Sequence, residues 1–95
     1  MKPGIRESQI QEALGILQEE CAEVIVEVSK CRRFGMNSIS HKTGANHSAA
    51  LEIEIGDVLA MIDILVDQNV LDRGSLELAV QNKKQKLKEW STIYS

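Results

Sequence analysis

The stretch LQEECAEVIVEVSKCRRF, residues 17–34, decides the fold of this chain. Its apolar residues recur every three or four positions, which is the spacing of one face of an α-helix. The same spacing continues towards the N-terminus and predicts a first helix from about Arg6 to Arg33. Cations in its last turn oppose the negative end of the helix dipole, and Gly35 follows as a C-cap. The apolar positions of this helix are Ile10, Leu14, Leu17, Cys21, either Val24 or Ile25, and Val28.

A second apolar stripe lies in LEIEIGDVLAMIDILV, residues 51–66. It predicts a helix of about 20 residues, capped by Asn46 or Ser48 and ending near Asn69. Residues 35–47 are rich in Gly, Ser, Asn and Thr without periodicity and are predicted to form a connecting loop. The positions that make up the stripe are Leu51, Ile55, Val58, Ile62 and Leu65.

A third and more weakly amphipathic helix is predicted after the turn at residues 72–75, with Ser75 as its N-cap and its end near Trp90. No alternation typical of β-strands is present. We therefore expect an all-α fold, with residues 1–95 forming a single domain of about three helices packed as a bundle. A chain of this length has a small core, so self-association is expected.

Composition excludes several classes of function. The net charge is -3 and aromatic residues make up 3% of the chain, which disfavours nucleic-acid binding. No apolar run approaches the roughly 20 residues of a membrane span, and residues 1–6 lack the apolar core of a secretory signal, so a cytoplasmic protein without a membrane is expected. Cys21 and Cys31 are interpreted as free thiols, because they lie on different sides of one helix. His41 and His47 have no partners at zinc-like spacing.

Four acidic residues occupy equivalent positions on the first two helices. With Glu20 at 0° on a helical wheel, Glu23 lies near -60°, and Asp57 lies at the same angle from Glu54. Both pairs border the apolar stripe of their helix. If the stripes pack against each other, the four carboxylates converge on one side of the seam.

Converging carboxylates repel one another and take up protons unless a cation is present. Oxygen ligands without His or Cys suit Mg²⁺, or Mn²⁺ as a substitute. Glu52, Asp63 and Asp67 lie far from the stripe and are expected to be solvated. Periodicity alone leaves two interpretations open, an acidic metal site and a solvated acidic rim.

The motif EExxE at residues 19–23, followed by ExxD at residues 54–57, resembles the signature of the MazG-like, all-α nucleoside triphosphate pyrophosphohydrolases. The likeness covers roughly residues 14–90, and it is greatest to the short MazG-like proteins common in bacteriophages. The resemblance implies a four-helix core completed by a homodimer or homotetramer. It also implies Mg²⁺-dependent cleavage of an NTP or dNTP to the monophosphate and pyrophosphate.

Carried over by position, the resemblance makes Glu20, Glu23, Glu54 and Asp57 the metal ligands. Glu19 would be a further acid that orients or deprotonates water, so that Glu19 and Glu20 form the catalytic pair. The metal lowers the pKa of a water and screens the charge of the triphosphate.

The family also uses basic residues, often with an asparagine, on its last helix to hold phosphates. The matching positions are Asn82, Lys83 and Lys86, with Lys30 as a further candidate; a solvated basic face remains the alternative for each lysine. Unlike larger members, this chain has no separate helix before EExxE, so no residue is assigned to base recognition. A phosphoribosyl-ATP pyrophosphohydrolase of the same superfamily and a non-catalytic helical interaction module are the competing interpretations.

Overall fold

The computed structural model describes residues 7–95, and this part of the chain contains three helices and no β-strand. Helix α1 spans Glu7–Phe34, α2 spans His47–Asp67 and α3 spans Arg73–Trp90. The all-α class is therefore confirmed. The predicted start of the first helix at Arg6 lies outside the described residues. No helix between residues 7 and 95 combines the length and the apolar character needed to cross a membrane.

The ends of the helices follow local chemistry. Gly35 adopts φ +94°, and its N–H donates to the carbonyl of Cys31 at 2.9 Å, which closes α1 as a left-handed C-cap. Asn46 is the N-cap of α2, because its side chain accepts from the N–H of Ala49 at 2.8 Å. Helix α2 begins at His47, which the sequence had placed in the loop, and ends at Asp67 rather than near Asn69.

The predicted cap of α3 was wrong. Asp72, not Ser75, is the N-cap, and its carboxylate accepts from both the N–H and the hydroxyl of Ser75. These bonds lower the pKa of Asp72, because they favour its ionised form. Helix α3 therefore starts at Arg73, inside the stretch predicted as a turn.

Helices α1 and α2 pack as an antiparallel hairpin, and they are the only pair in extensive contact among the described residues. The seam between α1 and α2 is centred on a row of α1 residues that includes two acids, Glu20 and Glu27. Leu65 is fully buried and Glu27 is 3% exposed, whereas Cys21 and Val28, which belonged to the predicted stripe, are exposed. On α1 the buried and half-buried row consists of Ile10, Ala13, Leu17, Glu20, Val24, Glu27 and Cys31.

Helix α3 adds no buried residue to this hairpin. Its first residue, Arg73, is joined to Asp63 of α2 by an exposed ion pair of 2.9 Å. The chain measures 46 × 37 × 14 Å, and its radius of gyration of 16.4 Å exceeds the roughly 13 Å of a compact domain of this size. The helices thus lie in one layer, and a bundle is not formed within the single chain.

Candidate metal centre

Three of the predicted ligands come together across the hairpin. One carboxylate oxygen from each of Glu20, Glu54 and Asp57 lies within 4.8 Å of the other two. Glu20 comes from the middle of α1, and Glu54 and Asp57 lie one turn apart on the facing side of α2. Glu20 and Glu54 are half-buried and Asp57 is exposed, so the group lies at the edge of the seam and is open to solvent on one side.

Electrostatics within this group are unfavourable. The pKa of Glu20 is raised, first by its partial desolvation and then by the negative charges of Asp57 and Glu54. A side-chain hydrogen bond with Asp57 acts in the same direction, because it favours the protonated form. No lysine or arginine within residues 7–95 forms an ion pair with any of the three acids.

The donor set fits a hard divalent cation. Mg²⁺ is held in proteins by a small number of carboxylates and keeps several waters, which suits a half-open group of three acids. One oxygen from each of the three acids lies within 4.8 Å of the other two, so the three side chains are close enough to share one ion once they are deprotonated. The three oxygens would hold Mg²⁺ and leave its remaining positions facing solvent.

The other predicted acids lie beside this group. Glu23 is exposed one turn further along α1, and its charge contributes to the raised pKa of Glu20, but it is not among the three converging residues. Glu19 is exposed as well. The acids predicted to be solvated, Glu52, Asp63 and Asp67, are exposed and outside the group.

The predicted phosphate-holding residues are placed differently. Asn82, Lys83 and Lys86 are exposed on α3, which does not pack along the hairpin. Lys30 is half-buried on α1 and forms an ion pair of 3.5 Å with Glu27. Within the single chain, therefore, none of these four side chains pairs with the three acids.

Sequence reasoning missed a second set of side chains at the loop end of the hairpin. Glu27 is buried, and His47 is 5% exposed and stacks on Phe34 with 5.7 Å between the ring centroids. The thiol of Cys31 donates to the backbone carbonyl of His47 at 3.5 Å. Glu27 follows Glu20 by two turns at nearly the same helical angle, which was a usable signal for its burial.

Comparisons of the chain with known protein families, with curated proteins and with solved structures find no match.

Proposed function

We propose that this chain is a Mg²⁺-dependent pyrophosphohydrolase that converts a nucleoside or deoxynucleoside triphosphate to the monophosphate and pyrophosphate. The carrying observation is the group of Glu20, Glu54 and Asp57, which places three carboxylates together without a protein cation. The resemblance of EExxE and ExxD to the MazG-like enzymes supports the same proposal, since these three acids occupy motif positions.

In this proposal the acids have two different roles, holding the ion and orienting water. Glu20, Glu54 and Asp57 hold the ion, and Glu23 completes the ligand set from the adjacent turn of α1. Bound Mg²⁺ supplies charge neutralisation and makes a water more acidic. Glu19 and Glu20 would orient a water for attack on the α-phosphorus, and one of them would accept its proton; the bond from the α-phosphorus to the bridging oxygen would break and pyrophosphate would leave.

Self-association is the second part of the proposal. Apolar side chains lie about 80° to 140° around each helix from Glu20 and Glu54, and by helical geometry they share one face of the hairpin. Ile25 is 69% exposed on this face. A single layer of helices leaves such a face uncovered, and a second layer from another copy buries it. The face consists of Leu14, Cys21, Ile25 and Val28 on α1 with Ile55 and Leu59 on α2.

A homodimer or homotetramer gives α3 a role as well. Its lysines do not reach the acids of their own chain by packing along the hairpin, so we propose that α3 of a second copy brings Asn82, Lys83 and Lys86 to the phosphates. Light scattering should give a mass of two or four chains. Ile25→Glu together with Leu59→Glu should shift it to one, because charged residues on this face oppose its burial.

The activity is tested by pyrophosphate release from a panel of NTPs, dNTPs and phosphoribosyl-ATP with and without Mg²⁺. Glu54→Gln should lower turnover at least about a hundredfold, because the ion loses a charged ligand. Glu52→Gln is the matched control on the same helix and should leave turnover unchanged. Absence of turnover on every nucleotide would overturn the enzyme proposal, and an intact oligomer in that case would favour a helical interaction module.

A further inference from the structure

A cavity of about 390 Å³ lies at the loop end of the hairpin, between the end of α1, the connection 35–46 and the start of α2. It is open to solvent on one side, and its walls are largely apolar. Phe34 and Ile39 provide apolar surface, while Lys30 and Lys42 bring positive charge and His47 lies at the start of α2. The cavity is at the lower end of the 300–1,000 Å³ typical of small-molecule sites.

Backbone hydrogen bonds hold the connection that forms one wall of the cavity. The N–H of Ser40 donates to the carbonyl of Ala45 at 2.6 Å, and the N–H of His47 donates to the carbonyl of Ser38 at 2.9 Å. Ile39 and Asn46 form an antiparallel bridge. The segment predicted only as a connecting loop is therefore a hydrogen-bonded turn at the end of the hairpin.

The cavity is aligned with the three acids. Glu27 follows Glu20 by seven residues on α1, and His47 precedes Glu54 by seven residues on α2. Seven residues make two helical turns, which correspond to about 10 Å along a helix. On both α1 and α2, the cavity therefore lies about 10 Å from the three acids along one side of the hairpin. A nucleotide with its phosphates at the acids can extend its base towards this end.

Two buried polar atoms at this end have no hydrogen-bond partner, Oε2 of Glu27 and Nδ1 of His47. The other oxygen of Glu27 is 3.5 Å from the ammonium group of Lys30, which lines the cavity. Buried polar atoms are nearly always paired in folded proteins. Of these two residues only His47 lines the cavity, so a ligand with a hydrogen-bonding edge would lie beside a residue with an unsatisfied ring nitrogen.

We infer that this cavity is the base-binding subsite of the nucleotide site, with the exposed part of the Phe34 ring, which also contacts His47 and Arg33, as its aromatic surface; the inference rests on the proposed function. Largely apolar walls and an aromatic ring that is 53% exposed suit a planar base better than a phosphate. Lys30 and Lys42 line the cavity and can donate hydrogen bonds to base carbonyls. The volume is sufficient for a planar base.

Nuclear magnetic resonance of the intact protein tests this directly, because the chain has one Phe, one Trp and two His. Nucleoside 5′-monophosphates, ribose 5-phosphate and pyrophosphate are titrated separately in the presence of Mg²⁺. At least one nucleoside monophosphate should shift the Phe34 and His47 ring signals, while ribose 5-phosphate and pyrophosphate should not. The Trp90 signal is the internal control, because Trp90 lies outside the cavity.

Equal shifts with ribose 5-phosphate, or no shift with any of the monophosphates, would overturn the subsite. These outcomes differ from failure of the enzyme proposal. Turnover without base-dependent shifts removes the subsite alone, and base-dependent shifts without turnover remove the hydrolysis alone.

A substitution at Phe34 provides a second test. Phe34→Leu keeps an apolar side chain and removes the ring, and because Phe34 is half-exposed the fold should tolerate the change. Affinity for the monophosphate that binds should fall at least about fivefold, since stacking is lost, while affinity for pyrophosphate should not change. Trp90→Leu is the matched control. Unchanged monophosphate affinity in Phe34→Leu would contradict the assignment of Phe34.

Discussion

Glu20 and Glu27 lie two turns apart on the same face of α1, but the charges around them have opposite signs. Glu27 is buried in the seam and has an ammonium group, that of Lys30, at 3.5 Å. Glu20 is half-buried and instead meets two further carboxylates, those of Glu54 and Asp57. The chain thus supplies a cation to the acid near the loop and none to the acid in the middle. Glu27 therefore forms an ion pair within the chain, whereas Glu20, Glu54 and Asp57 form the group that is proposed to bind a cation from solution.

The largest loss of stability is expected at the paired acid. Lys30→Ala leaves the buried carboxylate of Glu27 without a cation and should lower the free energy of unfolding by about 2 kcal/mol, since part of Lys30 is exposed. Urea denaturation measures the change. Lys84→Ala, on the exposed side of α3, should stay within about 0.5 kcal/mol of the parent protein.

A comparable gain is expected when the unpaired acids receive an ion. At a Mg²⁺ concentration one hundred times its Kd, the free energy of unfolding should rise by about 2.7 kcal/mol, because only the folded chain brings the three acids together. Thermal unfolding with increasing Mg²⁺ measures this gain. Asp57→Asn should lose it and Asp67→Asn should keep it; an equal gain in both variants would place the ion elsewhere.

The pH dependence of the free energy of unfolding should reveal the repulsion at Glu20. Because the folded chain raises the pKa of Glu20 above its ordinary value of 4.5, the folded state binds this proton more tightly than the unfolded state. The resulting stabilisation is present at low pH and is lost as the pH rises through the raised pKa. Without divalent ions, the stability difference between Glu20→Gln and the parent protein should therefore grow in favour of the variant as the pH rises from 4.5. A difference that does not vary with pH would contradict repulsion at Glu20.

The smallest expected effect has the opposite sign to that of Lys30→Ala. Without divalent ions, Glu54→Gln removes one of the three repelling charges and should raise the free energy of unfolding by about 0.5 kcal/mol. Glu52→Gln, an exposed neighbour outside the group, provides the comparison in the same denaturation experiment. A loss of stability in Glu54→Gln would mean that its charge has a stabilising partner.

Periodicity predicted the three helices and the convergence of Glu20 with Glu54 and Asp57, and the preference of helix starts for Asn and Ser gave Asn46 as one of two candidate caps of α2. These features depend on angles within one helix and on local hydrogen bonds, which neighbouring residues determine. The rotation of α1 against α2 was not predictable in the same way, because two helical wheels do not fix how one helix turns against the other. The exposure of Cys21 and Val28 follows from that rotation, whereas the burial of Glu27 was indicated by its helical angle, which is close to that of Glu20.

The other features that the sequence did not predict depend on contacts between distant segments. His47 joins α2 because Asn46 caps the helix, and its ring reaches Phe34 only after the connection 35–46 folds back on the hairpin. The exposed ion pair between Arg73 of α3 and Asp63 of α2 is likewise a contact for which the pattern of α3 contains no signal.

Direct measurement of divalent ion binding tests the central claim most closely. Mn²⁺ is titrated into the protein and the free ion is followed by electron paramagnetic resonance, with Asp57→Asn and its control Asp67→Asn measured in parallel. The account predicts saturable binding to the parent protein and to Asp67→Asn, weakened at least about tenfold in Asp57→Asn, with Mg²⁺ displacing the bound Mn²⁺. Binding that does not saturate, or that is equally tight in Asp57→Asn, would contradict a metal centre formed by Glu20, Glu54 and Asp57.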